Sequence, residues 1–182
     1  MTTNSPKSVY PAPAESEEIQ EAIIAIIVDN DPGTLSRVTA LFSARGYNIE
    51  SLTVAETDVE RNRSRITIVT SGTQSKIDQI KSQLGRLVPV RKVIDISSEP
   101  DAVERELALL KVVANDDQHL EIMGLAEKFQ ASFIDKTDAS FVLELTGERS
   151  KVNTFIELLM PLGLVQVSRT GVLSIRRGVR EE

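Results

Sequence analysis

Val28-Asp29-Asn30-Asp31-Pro32-Gly33-Thr34-Leu35-Ser36-Arg37 joins an apolar run to an amphipathic one. The run before it, Ala22 to Val28, is short and rich in isoleucine, which reads as a buried strand. After it, Leu35, Val38, Leu41 and Phe42 recur at helical spacing, and the spacing predicts a helix from Pro32 to Arg45. Asp31 is suited to cap that helix, Pro32 to take its first position, and Gly33 to leave backbone N–H groups open to a guest. An anion is the guest that suits a helix N-terminus, where N–H groups lack partners and partial positive charge gathers. No nucleophile with its base stands nearby. The turn reads as a place that binds rather than reacts.

Composition narrows the classes. A chain of 182 residues holds one ordinary domain or two small ones, and 41% hydrophobic content supports real cores. The formal net charge of −6 argues against a nucleic-acid partner, which needs a basic footprint. Without cysteine there is no disulfide framework, thiolate nucleophile or zinc–thiolate site. Residues 1–20 carry Pro6, Pro11 and Pro13 among small, polar and acidic residues, lack the apolar core of a signal peptide, and read as a disordered tail. The run Ile23 to Val28 falls far short of the ~20 residues a membrane span requires. A cytoplasmic protein with no membrane partner is expected.

Beyond the first helix, Gly46 reads as a C-terminal stop and a second strand runs from Asn48 to Thr57. A third strand spans Arg65 to Thr70. Ile77, Ile80 and Leu84 mark a second helix closed by Gly85, and Val88 to Ile96 is a fourth strand. The plan then restarts. Glu104 to Val113 is a strand, and Leu120, Met123, Leu125, Ala126 and Phe129 give a helix face. Ser132 to Lys136 and Ser140 to Thr146 are strands, Val152, Phe155, Ile156 and Leu159 line a helix, and Leu164 to Ser168 with Val172 to Ile175 finish the sheet around a bend at Gly171. The fold class is α+β: two tandem ferredoxin-like βαββαβ units, residues 21–97 and 103–178, joined by a linker at 98–102, with a short tail at 179–182. Each sheet is expected to hide one face under two helices and leave the other for a partner or ligand.

Two readings of the turn stand side by side: an ordinary capped strand-to-helix junction, and a cradle for an amino acid's carboxylate on the N–H groups of Gly33, Thr34 and Leu35. Asn30 adds an amide that donates and accepts. Asn48 is either a strand-entry residue or a second clamp on a zwitterion. Ser36 and Arg37 read as helix-surface groups, and the lone His119 as an exposed helix residue. Asp116 and Asp117 suit a helix start. Asp58, Glu60, Arg61, Arg63 and Arg65 read as a solvated hairpin tip, and Arg176, Arg177, Arg180, Glu181 and Glu182 as a solvated tail. No catalytic or metal-binding constellation is expected, since P-loop, GxGxxG, HExxH and GxSxG patterns are missing.

The chain resembles the regulatory small subunits of acetolactate synthase, also called acetohydroxyacid synthase, of the ACT-domain family. The resemblance rests on Pro32-Gly33-Thr34-Leu35-Ser36-Arg37-Val38 and on Leu41 through Val54, with its specific string Arg45-Gly46-Tyr47-Asn48-Ile49-Glu50-Ser51-Leu52-Thr53-Val54. Val103-Glu104-Arg105-Glu106-Leu107, Lys111-Val112, Arg169-Thr170-Gly171-Val172 and Arg177-Gly178 extend it across nearly all the folded chain. It implies an ACT domain over residues 21–97 in a non-catalytic subunit. Such a subunit activates a catalytic large subunit holding thiamine diphosphate, magnesium and FAD, and confers feedback inhibition by a branched-chain amino acid, usually valine. It further implies a homodimer through the ACT domains with the effector between them: Asn30, Asp31, Pro32, Gly33, Thr34 and Leu35 from one chain, Asn48 and Ile49 from the other. The rival is a stand-alone tandem ACT-like amino-acid sensor controlling another protein. An acylphosphatase-type enzyme is disfavoured because Asp29 and Asp31 make the first loop anionic, and an RNA binder because the chain is acidic and poor in aromatics.

Overall fold

The computed structural model describes residues 18–99 and 101–178. The N-terminal tail over residues 1–20 lies largely, and the tail at 179–182 with Arg180, Glu181 and Glu182 wholly, outside these residues. The first unit runs β1 (Gln20–Asp29), α1 (Thr34–Ala44), β2 (Ser51–Asp58), β3 (Arg63–Gly72), α2 (Gln74–Leu84), β4 (Val90–Asp95). The second runs β5 (Ala102–Val113), α3 (Asp116–Phe129), β6 (Ser132–Lys136), β7 (Ser140–Gly147), α4 (Arg149–Leu159), β8 (Leu164–Arg169), β9 (Leu173–Arg176). Strand orders are β2-β3-β1-β4 and β6-β7-β5-β8, all neighbours antiparallel, so both sheets are ferredoxin-like.

Strand β1 is buried on both faces, which explains its unbroken apolar run. Ala22, Ile24, Ile26 and Val28 meet Val38 and Phe42 of α1 and Ile77, Ile80 and Leu84 of α2. Ile23 and Ala25 point the other way, with Val69, Ile94, Ile96 and, from the far end of the chain, Val172. The second unit builds a separate core from Ala108, Leu110, Val112, Phe141, Leu143, Leu145, Ile122, Val152, Phe155 and Leu159. Each fully buried side chain of this size contributes about 1.5–3 kcal/mol relative to exposure.

Several expectations need correction. The helix begins at Thr34, not Pro32, and its inward face is Thr34, Val38 and Phe42, while Leu35 is 41% exposed. In α3 the inward residues are Ile122 and Ala126, flanked by Leu125 and Phe129; Leu120 and Met123 face outward. Strand β9 does not extend the second sheet's strand order. It pairs with the first residues of β5, Ala102 to Arg105, and its neighbour Val172 lies on the first unit's sheet. In the first sheet, the face expected to await a partner is therefore covered within the chain. Arg176 leaves the solvated tail to pair with Glu99 at 2.8 Å.

Polar contacts line the junction of the units. Arg65 Nη2 donates to the Ser174 carbonyl at 2.8 Å. The 4% exposed Glu106 receives both arms of Arg169, at 2.8 and 2.5 Å. Removing one partner strands a buried carboxylate. Arg169→Met is expected to lower stability by roughly 3 kcal/mol, and Glu106→Leu added to it to recover much of that loss, as read by urea denaturation.

Candidate functional site at the first strand-to-helix turn

Asp31-Pro32-Gly33-Thr34 folds as a β-turn closed by the Thr34 N–H donating to the Asp31 carbonyl at 3.1 Å. Pro32 and Gly33 hold its central positions, and Gly33 sits at φ 86°, ψ −4°. These are the demands of a type II turn: a ring-fixed residue first, then one free to take positive φ. Asp31 is therefore not the cap and Pro32 not the first helical residue. Gly33 is the N-cap, and no side chain caps α1. Thr34 Oγ1 instead turns inward and donates to the Asp29 carbonyl at 3.1 Å.

This geometry leaves the helix end open. The first α1 hydrogen bond runs from Arg37 N–H to the Gly33 carbonyl at 3.0 Å. The N–H groups of Gly33, Leu35 and Ser36 have no backbone acceptor among the described residues. A Cβ built on Gly33 would meet nothing within 4 Å, so the space above the turn is clear. Of the three N–H groups expected to receive a carboxylate, Gly33 and Leu35 remain available, while Thr34 is spent on the turn.

The β2–β3 hairpin braces the turn from the side. Asn30 N–H donates to the Asn62 carbonyl at 2.8 Å, and the Asn30 amide reaches Glu56 Oε1 at 3.5 Å. Asn62 itself takes a left-handed conformation, φ 50°, and its amide reaches Asp31 Oδ1 at 3.5 Å. The segment read as a mere solvated hairpin tip thus supplies Asn62. Only the strand register reveals it, because Asp29 pairs with Arg63.

Asn48 and Ile49 lie elsewhere. The Thr70 hydroxyl donates to the Asn48 carbonyl at 2.6 Å, and Thr70 pairs with Ala22 near the start of β1. The turn follows Asp29, at the other end of that strand. At about 3.3 Å per residue the two half-sites are separated by roughly 20 Å within one chain. Asn48 is exposed and its carboxamide has no partner among the described residues; Ile49 packs partly against the first core. The chain thus brings Asn30 to Leu35 together, and holds Asn48 and Ile49 apart from them.

The matching turn of the second unit is capped by a side chain. After β5, Gln118 stands three residues into α3's entry, and its side chain folds back to accept from the Asn115 N–H at 3.1 Å. Its own N–H donates to the Asn115 carbonyl at 2.9 Å. The Asn115 N–H is thus taken up by α3's own side chain; the N-cap here is Asn115, where the first unit has Gly33. Next to it His119 is half-buried rather than exposed, edge-on to Phe141 at 4.8 Å between centroids. Among the described residues no cluster of three or more His, Asp or Glu is placed to hold a metal, and no helix is long and apolar enough to cross a membrane.

Arg91 pins the base of the turn with both guanidinium arms on Asp29. That hydrogen bonding holds the Asp29 carboxyl below the usual carboxylate range. A depressed folded-state pKa favours the fold above the ordinary carboxylate pKa, and the benefit fades as pH falls through the depressed value. In Arg91→Gln the Asp29 carboxyl is expected to titrate at higher pH than in the wild type, read by carbon-13 NMR of the side-chain carboxyl.

Comparison with known proteins places this turn in a family. Residues 24–92 match the model of the "AHAS small subunit-like ACT domain", and residues 105–178 that of the "Small subunit of acetolactate synthase". An acetolactate synthase small subunit of Bacillus subtilis is 41% identical over 161 residues, covering 88% of this chain and 92% of the relative. One of Mycobacterium bovis is 39% identical over 157 residues, covering 86% and 92%. The crystal structure of an acetolactate synthase small subunit from Thermotoga maritima superimposes with a TM-score of 0.79 at 38% identity, covering 88% of this chain and 99% of that one.

Proposed function

Because the chain belongs to the acetolactate synthase small-subunit family, we propose that it activates the catalytic large subunit of that enzyme and makes it sensitive to a branched-chain amino acid, valine first. The observation that carries the effector reading is the open type II turn at Gly33, with N–H groups unspent at a helix start and clear space above them. The effector's carboxylate takes the N–H groups of Gly33 and Leu35. The Asn30 amide and the carboxylate side of Asp31 face its ammonium, and the exposed Leu35 meets its aliphatic side chain. Pro32 and Thr34 fix the turn's shape.

The 20 Å separation of the half-sites supports a two-chain site. In a homodimer with two-fold symmetry the same patch meets itself, so each of two equal pockets takes a turn from one chain and Asn48 with Ile49 from its partner. The chemistry belongs to the catalytic subunit, which condenses pyruvate with pyruvate or 2-oxobutyrate and holds thiamine diphosphate, magnesium and FAD in the cytoplasm. No residue of this chain is assigned to those cofactors. Regulation is linkage: the effector favours the arrangement of the small subunit that activates less, and only its differential affinity for the two arrangements does the work. A coupling of about 1–3 kcal/mol, acting reciprocally on binding, is the expected scale.

The test is acetolactate formation by the cognate catalytic subunit, with and without this protein, across a valine titration. Activation that valine reverses is expected; no effect on activity overturns the reading in favour of a stand-alone sensor. Gly33→Asp places a carboxylate where the effector's belongs and strains the backbone at positive φ, by roughly 1–2 kcal/mol for a non-glycine residue. It is expected to abolish valine inhibition while activation persists. Asn48→Ala is expected to weaken valine binding about tenfold by calorimetry, the loss of one to two hydrogen bonds to a charged group.

A further inference from the structure

A cavity of about 290 Å³ lies between the two units, lined by Glu50, Ser51, Glu106, Arg149, Arg169 and Thr170. Its two arginines are not available to an outside anion. Arg169 is committed to Glu106, and Arg149 binds Glu21 with one arm and Glu50 with the other, the latter at 3.0 Å. The lining is a clasp rather than a receptor, and what it clasps is the start of β2.

Residues 48–53 are held from both sides. From the first unit, the Thr70 hydroxyl donates to the Asn48 carbonyl, and Glu50 N–H donates to the Val69 carbonyl at 2.8 Å. From the second, Val172 N–H donates to Ser51 Oγ at 3.3 Å, Thr53 Oγ1 donates to the Thr170 carbonyl at 3.2 Å, and Arg149 takes the Glu50 carboxylate. The approach is close enough that a Cβ on Gly171 would stand 2.5 Å from Ser51 Oγ and 2.8 Å from Thr53 Oγ1. Gly171 also holds φ +80°, so this position needs glycine for its backbone and for its neighbours.

Arg149 is the outward-reaching member of this set. It is the first residue of α4, next to the N-cap Glu148, at a helix end where a cation opposes the dipole. The position makes sense for what the side chain reaches: two carboxylates from different segments of the other unit, bridged by a rigid fork that lysine lacks. The Ser71 hydroxyl and the Arg149 guanidinium together keep the Glu50 carboxyl below the usual range, so the bridge is ionised at neutral pH.

We propose that Arg149 is a positioning residue for the effector site: through Glu50 it ties the Asn48–Ile49 half-site to the second unit, so that filling the site and the seating of the two units on each other are linked. This rests on the effector reading of the turn given above. Effector contacts on Asn48 and Ile49 pull on a segment whose next residues are fixed to the second unit. The second unit, whose α3 start is capped by Gln118, responds to the ligand through this tie.

The experiment uses the full chain with its catalytic subunit. For wild type, Arg149→Met, Arg149→Lys and Glu50→Gln, two quantities are measured: the small-subunit concentration giving half-maximal activation, and the valine concentration giving half-inhibition. Arg149→Met is expected to raise half-inhibition about tenfold with half-activation unchanged, on the scale of an ordinary allosteric coupling. Arg149→Lys, which reaches one carboxylate, is expected to fall between. Glu50→Gln is expected to match Arg149→Met, and the double variant to add nothing further. A half-inhibition within twofold of wild type in both Arg149→Met and Glu50→Gln overturns the proposal, and so does a parallel loss of activation. Glu50→Gln keeps the volume of the side chain and decides the matter if Arg149→Met does not fold. If the wild type itself ignores valine while activating, the effector reading fails first and the coupling falls with it.

Discussion

Strand β1 has water on neither face, and the rest of the molecule is arranged to satisfy that. Two helices cover the side bearing Ala22, Ile24, Ile26 and Val28. The side bearing Ile23 and Ala25 needs a second cover, and a four-stranded βαββαβ unit has no element left to give. The second unit supplies it: the β5–β9 ribbon lays Val172 there, beside Ile94 and Ile96. The two units are thus held by shared hydrophobic burial as well as by the polar contacts of Arg65 and Arg149. Strand β5 shows the contrast. Its burial alternates, with Ala108, Leu110 and Val112 inward and Leu109 and Val113 at 39% and 47% exposure outward, because none of the described residues covers its far side.

That arrangement determines where ligand chemistry can occur. With both faces of the first sheet occupied, what remains are the strand ends and the edges. The end at Asp29 carries the type II turn and its unspent N–H groups, braced by Asn62 and by Arg91 on Asp29. The second unit repeats the topology without repeating the opening. Where Gly33 leaves the helix start clear, Gln118 returns to its own backbone. The two helix starts differ at two positions: the N-cap, glycine in α1 and Asn115 in α3, and the third helical residue, Ser36 in α1 and Gln118 in α3.

Much of this was legible in the residues. The order of strands and helices followed from period, and the continuous run Ala22 to Val28 marked a buried strand, though not that the chain itself covers the sheet's second face. What escaped had particular causes. Asp31-Pro32-Gly33 carries two signals at once, a helix cap with proline at its first position and a type II turn with proline then glycine. The turn prevails because Gly33 alone can take φ 86° without cost, and it moves the helix start to Thr34. In α3, Leu120 and Met123 share a period with Ala126 as Ile122 does, and periodicity could not say which set the sheet would meet. Glu106 buried against Arg169, and Asn62 braced against Asp31, depend on strand register, which a single sequence leaves open.

Strand β2 is where the remaining demands converge. It is the exposed edge of the first sheet, eight residues long against six for β4 at the other edge, with Val54 at 43% exposure. A long, unpaired edge with an apolar residue on it is a liability for a lone chain and an asset for a pairing one. Its inner residues Ser51 and Thr53 are occupied by the second unit, so any further partner must come edge to edge. In the proposed dimer, antiparallel pairing of two such edges about a two-fold axis sets the Asp58 end of one strand beside the Ser51 end of the other. Asn30 already reaches Glu56 at the first of these ends, and Asn48 precedes the second. The half-sites that one chain holds roughly 20 Å apart are then neighbours across the axis. In that proposal the strand that closes the pocket is also the one held by Thr170, Val172 and Arg149, so pocket occupancy and the seating of the second unit would act on one segment of backbone.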